Sequence, residues 1–300
     1  MVLNMGLIAG SLIYIGYVIS THAGELRGSA FSISPANFAG FVLLATASIA
    51  ISTLYHIKLV SSLQSEPINS FRVGLASAVG QIVRYLPGKV MGLLFQVSYL
   101  RGQVSGGTIA IASLVQMLLA YAWAAALAAA ILLCSWRGSF WPVSVLFPAA
   151  GILWMAQRRG WAQQSLRLLP FTKRFLGDRI EVRPDDTAAT VLVTLLIVNW
   201  IPFLAGWTVL LSDTHPIGEA MVFAAAYLAA SILSTAVIVV PSGIVVREAI
   251  FVWIGSRYGL PPSHLLVFSL VARLALTFAD LLNAGLFWAA HGWSCRRKAG

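Results

Sequence analysis

Long uninterrupted apolar runs constrain this chain more than any other feature. "TIAIASLVQMLLAYAWAAALAAAILLC", residues 108–134, is one of several. About 20 such residues, wound as a helix, cross the hydrocarbon core of a bilayer. Only 10% of the residues are charged and 59% are hydrophobic, with a mean hydropathy of +0.84. A soluble fold would lack the polar groups to cover its surface. In lipid, each backbone N–H and C=O needs an internal partner, which selects helices for spans of this length. The composition therefore predicts an all-α polytopic membrane protein.

Spans are expected near 3–20, 37–57, 108–134, 138–156, 187–211, 218–240 and 263–290, about seven or eight in total. The interval 70–107 is only partly apolar, and 241–258 is too short and polar for an ordinary span. The N-terminal run lacks the basic flank and A-x-A site of a cleavable signal, so it reads as a retained first helix. The whole chain, 1–300, reads as a single integral membrane domain, with one half near 37–156 and another near 187–290. The loop between them, 157–186, carries Arg158, Arg159, Arg167, Lys173, Arg174, Arg179 and Arg183. The positive-inside rule places it in the cytoplasm. It reads either as an amphipathic segment on the inner leaflet or as a plain basic tether.

Span parity is unresolved at this level. Three crossings after a cytoplasmic 157–186 loop leave the C-terminus outside, whereas Arg296, Arg297 and Lys298 place it inside. Either 241–258 crosses, or 187–211, broken at Pro202, is a hairpin.

The net charge of +10 sits in loops beside spans, which fits membrane lipid headgroups and not nucleic acid. Cys134 and Cys295 are the only cysteines, and the five histidines show no i, i+4 pairing. No metal site or cofactor is expected. Trp136, Trp141, Trp161, Trp288 and Trp293 fall near span ends and suit the interfacial belt. Gly6 and Gly10 form a common helix-packing pair.

Two segments break the apolar pattern. "RYLPGKVMG" (84–92) holds Pro87 and Gly88; "PSGIVVREA" (241–249) holds Pro241, Ser242 and Gly243. Proline removes a helical donor and glycine permits the turn. The breaks lie about half a chain apart, and each precedes a long span. They predict two re-entrant or broken helices in an inverted-repeat arrangement, with a binding site where the repeats meet. Each break carries cations: Arg84 and Lys89, with Arg101 beyond, and then Arg247 beside Glu248. A helix capped by Ser242 or Gly243 would present free N–H groups to an anion, and arginine adds a planar fork for phosphate or carboxylate oxygens. Alternatively, Arg84, Lys89 and Arg101 simply reach the headgroups.

Arg247 and Glu248 are neighbours on a helix and are not expected to pair. Arg273, Thr277 and Asp280 fall on one face of the last span, continued by Asn283 and Ala284. Charges at this depth cost about 2.5–3.5 kcal/mol each and must face protein or water. Glu248 with Arg273, and Arg247 with Asp280, would form an internal network. Glu248 and Asp280 are also candidates for a proton relay.

The ordered set "RYLPGKVMG", "PSGIVVREA" and "ARL" (272–274) resembles the membrane domain of lysylphosphatidylglycerol synthase/flippase proteins and their stand-alone flippase-like relatives. Ser242 and Val245 depart from it, standing where glycines are frequent. The resemblance implies a bacterial inner-membrane flippase or transporter for an anionic phospholipid or a polyprenyl-phosphate-linked sugar in envelope glycan or lipid modification. The cations and caps at the two breaks, with Arg273 of the last span, give the expected ligand contacts: Arg84, Lys89, Arg101, Ser242, Gly243, Arg247 and Arg273. No aminoacyl-transferase domain is recognised, so the chain is not expected to be an enzyme; a homo-oligomer is compatible with the sequence.

Two other readings remain open. A membrane-embedded glycosyl- or phospho-transferase would use a carboxylate near the surface, from Glu25, Glu66, Asp178, Glu181, Asp185, Asp186, Asp213 or Glu219. A non-catalytic envelope assembly factor needs no chemistry at the breaks.

Overall fold

The structure is a computed structural model that describes residues 16–17, 19–21, 33–64, 66–83, 91–158, 186–235 and 245–299. Among the described residues it is all-helical, with no strand. The helices are α1 (Pro35–Ser62), α2 (Ser70–Val83), α3 (Met91–Tyr99), α4 (Gly106–Arg137), α5 (Leu146–Arg158), α6 (Asp186–Val198), α7 (Trp200–Leu211), α8 (Ile217–Ser234), α9 (Val246–Arg257) and α10 (Pro262–Ala299).

Five stretches are long and apolar enough to cross a membrane: Pro35–Ser62, Gly106–Arg137, Asp186–Leu211, Ile217–Ser234 and Pro262–Ser294. Each matches an expected span. The expected span at 138–156 is instead a 3-10 turn, Trp141–Val145, followed by the 13 residues of α5. Gly138, at φ +61°, and Pro142 divide that stretch, so its apolar run is not one continuous helix. Most of 3–20 lies outside the described residues.

The run Asp186–Leu211 is one interrupted helix and not a hairpin. Pro202 has no N–H to offer the carbonyl four residues back, and the ladder falters at Asn199. There the Asn199 backbone N–H still reaches Leu195 O at 3.2 Å. Its side-chain amide donates to the carbonyls of Leu195 and Leu196, adding donors at the interruption.

The chain forms two compact units, each drawn from three stretches: 1–45, 124–147 and 202–278 in the first, and 46–123, 148–201 and 279–300 in the second. An aromatic cluster forms the core of the first. Trp207, fully enclosed, packs on Phe41, Phe223, Tyr227 and Phe251 with ring centroids 5.3–6.3 Å apart. Gly206 lets α7 approach α1 closely, because a Cβ there would stand 2.7 Å from Phe41 Cδ2. Asn37 anchors the start of α1 by donating to Ser212 Oγ (3.0 Å) and Asp213 Oδ2 (2.7 Å).

In the second unit α2 packs against α3. At the contact the two backbones nearly touch: a Cβ on Gly92 would run into the Gly80 carbonyl oxygen. Association without a hydrophobic drive relies on such small residues. The first unit holds the parallel case, α8 packed on α9. The two breaks anticipated from proline and glycine thus fall between the members of two packed helix pairs.

Candidate functional site

Arg84, Pro87, Gly88, Lys89, Pro241, Ser242 and Gly243 lie outside the described residues, so the site is built from the helices that come after each break. After the second break the chain enters α9 through Val245, whose φ of +71° makes it the one non-glycine residue with positive φ among those described. A β-branched side chain there is strained, which is the physical meaning of the departure from glycine. Its carbonyl accepts the Ala249 N–H at 2.9 Å and so opens the helix.

The first turn of α9 then presents Arg247 and Glu248. Glu248 is 4% exposed. Arg247 Nη2 lies 3.2 Å from Glu248 Oε1, and Arg273 Nη1 of α10 lies 3.0 Å from the same oxygen. The expected Glu248–Arg273 contact is therefore present. The expectation that Arg247 and Glu248 do not pair is overturned. Helical neighbours diverge at Cβ, but the arginine side chain is long enough to fold its head back. A carboxylate without water also draws any cation within reach. The guanidinium of Arg247 sits 5.0 Å from the centroid of the Tyr227 ring on α8, a cation–π contact. Tyr227 carries no signal of this in the sequence, where it is one aromatic in an alanine-rich run.

Two guanidinium groups share one carboxylate oxygen, so the cluster carries a formal excess of one positive charge. The carboxylate is enclosed, whereas the Arg247 and Arg273 side chains keep 15% and 20% exposure. The positive ends therefore have access to whatever enters, and the negative group does not. Glu248 in the first turn of α9 is also favoured by the helix dipole. Chemically, the arrangement suits an anion that completes the coordination of two arginines.

The stripe on α10 is real. Arg273 is partly buried, Asp280 and Asn283 are enclosed, and Leu274, Phe278, Leu281 and Leu282 on the other side are each about half exposed. Thr277 donates to the Arg273 carbonyl at 2.9 Å and stays within the stripe. Asp280 belongs to the second unit, as does Arg101. Arg101 is exposed beside an open cleft of about 600 Å³ that Leu94 and Ser98 also line.

Of the surface carboxylates, Asp186 is held by Arg158 at 2.5 Å, both side chains well exposed, and Asp185 lies outside the described residues. No cluster of three or more metal-ligating residues occurs among the described residues. His215 and His264 meet at 3.2 Å (Nε2 to Nδ1). Burial, then the neighbouring His264, pushes the His215 imidazole below its ordinary pKa, and Glu219 partly opposes this. With only two ligating nitrogens it is a packed pair beside Phe223 and Phe268.

No family model matches the chain, and comparison with curated proteins finds no match.

Proposed function

We propose that this protein is a transporter that moves an anionic lipid, or a lipid-linked intermediate such as a polyprenyl-phosphate sugar, between the leaflets of a bacterial inner membrane. The observation that carries the reading is the Arg247–Glu248–Arg273 cluster. It joins the start of α9 to Arg273 of the long apolar helix α10, holds more cation than anion, and buries the anion. A phosphate would meet the part-exposed arginine side chains, whereas the Glu248 carboxylate is enclosed. The ordered "RYLPGKVMG", "PSGIVVREA" and "ARL" segments support the same reading through their resemblance to flippase membrane domains. In this reading the α2–α3 and α8–α9 pairs are re-entrant hairpins of an inverted repeat, which raises the number of membrane-inserted segments above the five long helices.

The test is headgroup accessibility of fluorescent phospholipids and polyprenyl-phosphate sugars in liposomes that contain the full chain. Wild type is expected to move an anionic lipid. Arg247→Ala is expected to slow that movement at least tenfold while keeping its elution profile and helicity. Folded wild type that moves none of these lipids would remove the proposal.

A further inference from the structure

The second unit carries a buried histidine that the charge pattern does not explain. His56 of α1 is 2% exposed. Gln116 of α4 donates through Nε2 to the Ser52 carbonyl and to the Ser52 hydroxyl, both at 3.0 Å. A carbonyl can only accept, so this contact fixes which way the amide points. Gln116 Oε1 therefore faces His56 Nδ1, at 2.8 Å. Hence Nδ1 carries the hydrogen of the neutral ring and Nε2 keeps a lone pair. The other polar group acting on the imidazole is Gln96 of α3, itself 8% exposed. His56 Nε2 and Gln96 Oε1 are both enclosed without a hydrogen-bond partner.

The neighbouring residues of α1 repeat this bias. Thr53 donates to Ile49 O at 3.0 Å, so its oxygen must accept from Asn283, 3.2 Å away. That fixes the Asn283 amide and leaves its Oδ1 enclosed without a partner. Gln157 donates to the Tyr55 hydroxyl, and its Oε1 is left in the same state. Amides from three helices thus bond to one stretch of α1, and the atoms that His56, Asn283 and Gln157 leave enclosed there are acceptors. An unsatisfied acceptor in apolar surroundings is destabilising. What this stretch lacks is a hydrogen.

We infer that His56 is a proton-binding site, in which a proton taken from the aqueous phase binds Nε2 and joins it to Gln96 Oε1. One N–H bond forms and none breaks; the imidazolium then donates from Nδ1 to Gln116 and from Nε2 to Gln96. A charge at this depth is costly, and an acceptor on each nitrogen offsets that cost. The groups around the ring are Gln116 and Gln96, with Ser52 and Thr53 on its own helix. Asn283 and Asp280 lie on α10, the element that meets Thr53. A site of this kind lets a transmembrane proton gradient act on the second unit. The inference rests on that unit alone and stands whether or not the arginine cluster binds lipid.

The test is ¹⁵N-histidine NMR of the full chain in lipid nanodiscs as pH is varied. The His56 signal is assigned by its loss in His56→Gln. Should that variant not fold, a chain in which His22, His215, His264 and His291 are each replaced by Gln leaves a single signal. The neutral form is expected to carry its hydrogen on Nδ1 and to become doubly protonated as the pH is lowered. Gln96→Leu, which removes the acceptor of the charged form, is expected to move the midpoint at least one unit lower. A ring that stays neutral throughout, as it would if Gln96 turned its NH2 toward Nε2, overturns the inference. So does a midpoint that Gln96→Leu leaves in place.

Discussion

Glu248 holds two arginines through a single oxygen, and this geometry decides how the three residues share their energy. Removing one partner of a buried ion pair leaves the other desolvated and uncompensated, at a cost of about 3–5 kcal/mol. Here the uncompensated groups would be Arg247 and Arg273, each still partly exposed, so the cost should fall at the lower end. Glu248→Gln is expected to destabilise the chain by about 3 kcal/mol. Glu248→Gln combined with Arg273→Gln should recover at least about 1 kcal/mol of that loss, as coupled neighbours do. Chemical denaturation of the single and double variants in detergent measures both. Strict additivity would mean that the contact contributes nothing. The sequence makes Arg273 and Glu248 legible as partners, because both are charges without water in apolar runs. It does not make Arg247–Glu248 legible, because the rule that helical neighbours diverge describes Cβ directions and not the reach of a long side chain.

At the scale of elements, glycines matter where two backbones meet. Gly92 of α3 faces the carbonyl of Gly80 on α2, and a Cβ would enter that oxygen's van der Waals shell. Backbone cannot rotate away as a side chain can, so the α2–α3 pair would have to separate. Gly92→Ala is expected to cost more than about 2 kcal/mol, in the range of overpacking. Gly285 of α10 provides the contrast, since a Cβ there meets nothing within 4 Å. Gly285→Ala should raise stability by up to about 1 kcal/mol through helix propensity alone. Thermal melts of the two variants should therefore move in opposite directions, and equal shifts would mean that the close approach is absent. Pro87–Gly88 and Pro241–Ser242–Gly243, outside the described residues, fall in the sequence between the members of each helix pair, where a local rule about proline and glycine points. That α2 folds onto α3 depends on Gly80 and Gly92, whose meaning appears only once the two helices lie together. Gln116 is hidden for the same reason: it is one polar residue in an apolar run until His56 gives it a partner.

At the scale of the molecule, connectivity and charge still disagree about the C-terminus if each long apolar helix crosses. Between the basic 157–186 loop and Arg296, the chain passes through Asp186–Leu211, Ile217–Ser234 and Pro262–Ser294, an odd number. The hairpin alternative for 187–211 is removed by its continuity through Asn199. Two solutions remain: a crossing by 241–258, or an α8 that does not cross. The 12 residues of α9 fall short of the about 20 that a crossing needs and favour the second. Of the five long apolar stretches α8 has the largest buried share, 56% against 33–50% for the others. It is also the one that packs on a short polar-ended partner, α9. A helix that enters, turns near Pro241 and returns as α9 restores an even count and puts both basic segments on one side, as the positive-inside rule requires. Native Cys295, in a chain with Cys134→Ser, and a cysteine placed at Ser165 should then react with a membrane-impermeant maleimide in the same vesicle orientation. Labelling from opposite sides would make α8 a full span, and α8–α9 would no longer be a re-entrant pair. The Arg247–Glu248–Arg273 cluster would survive that outcome, because its contacts lie within one compact unit. The inverted repeat would not survive it, and a transporter built on two matching hairpins would lose one of them.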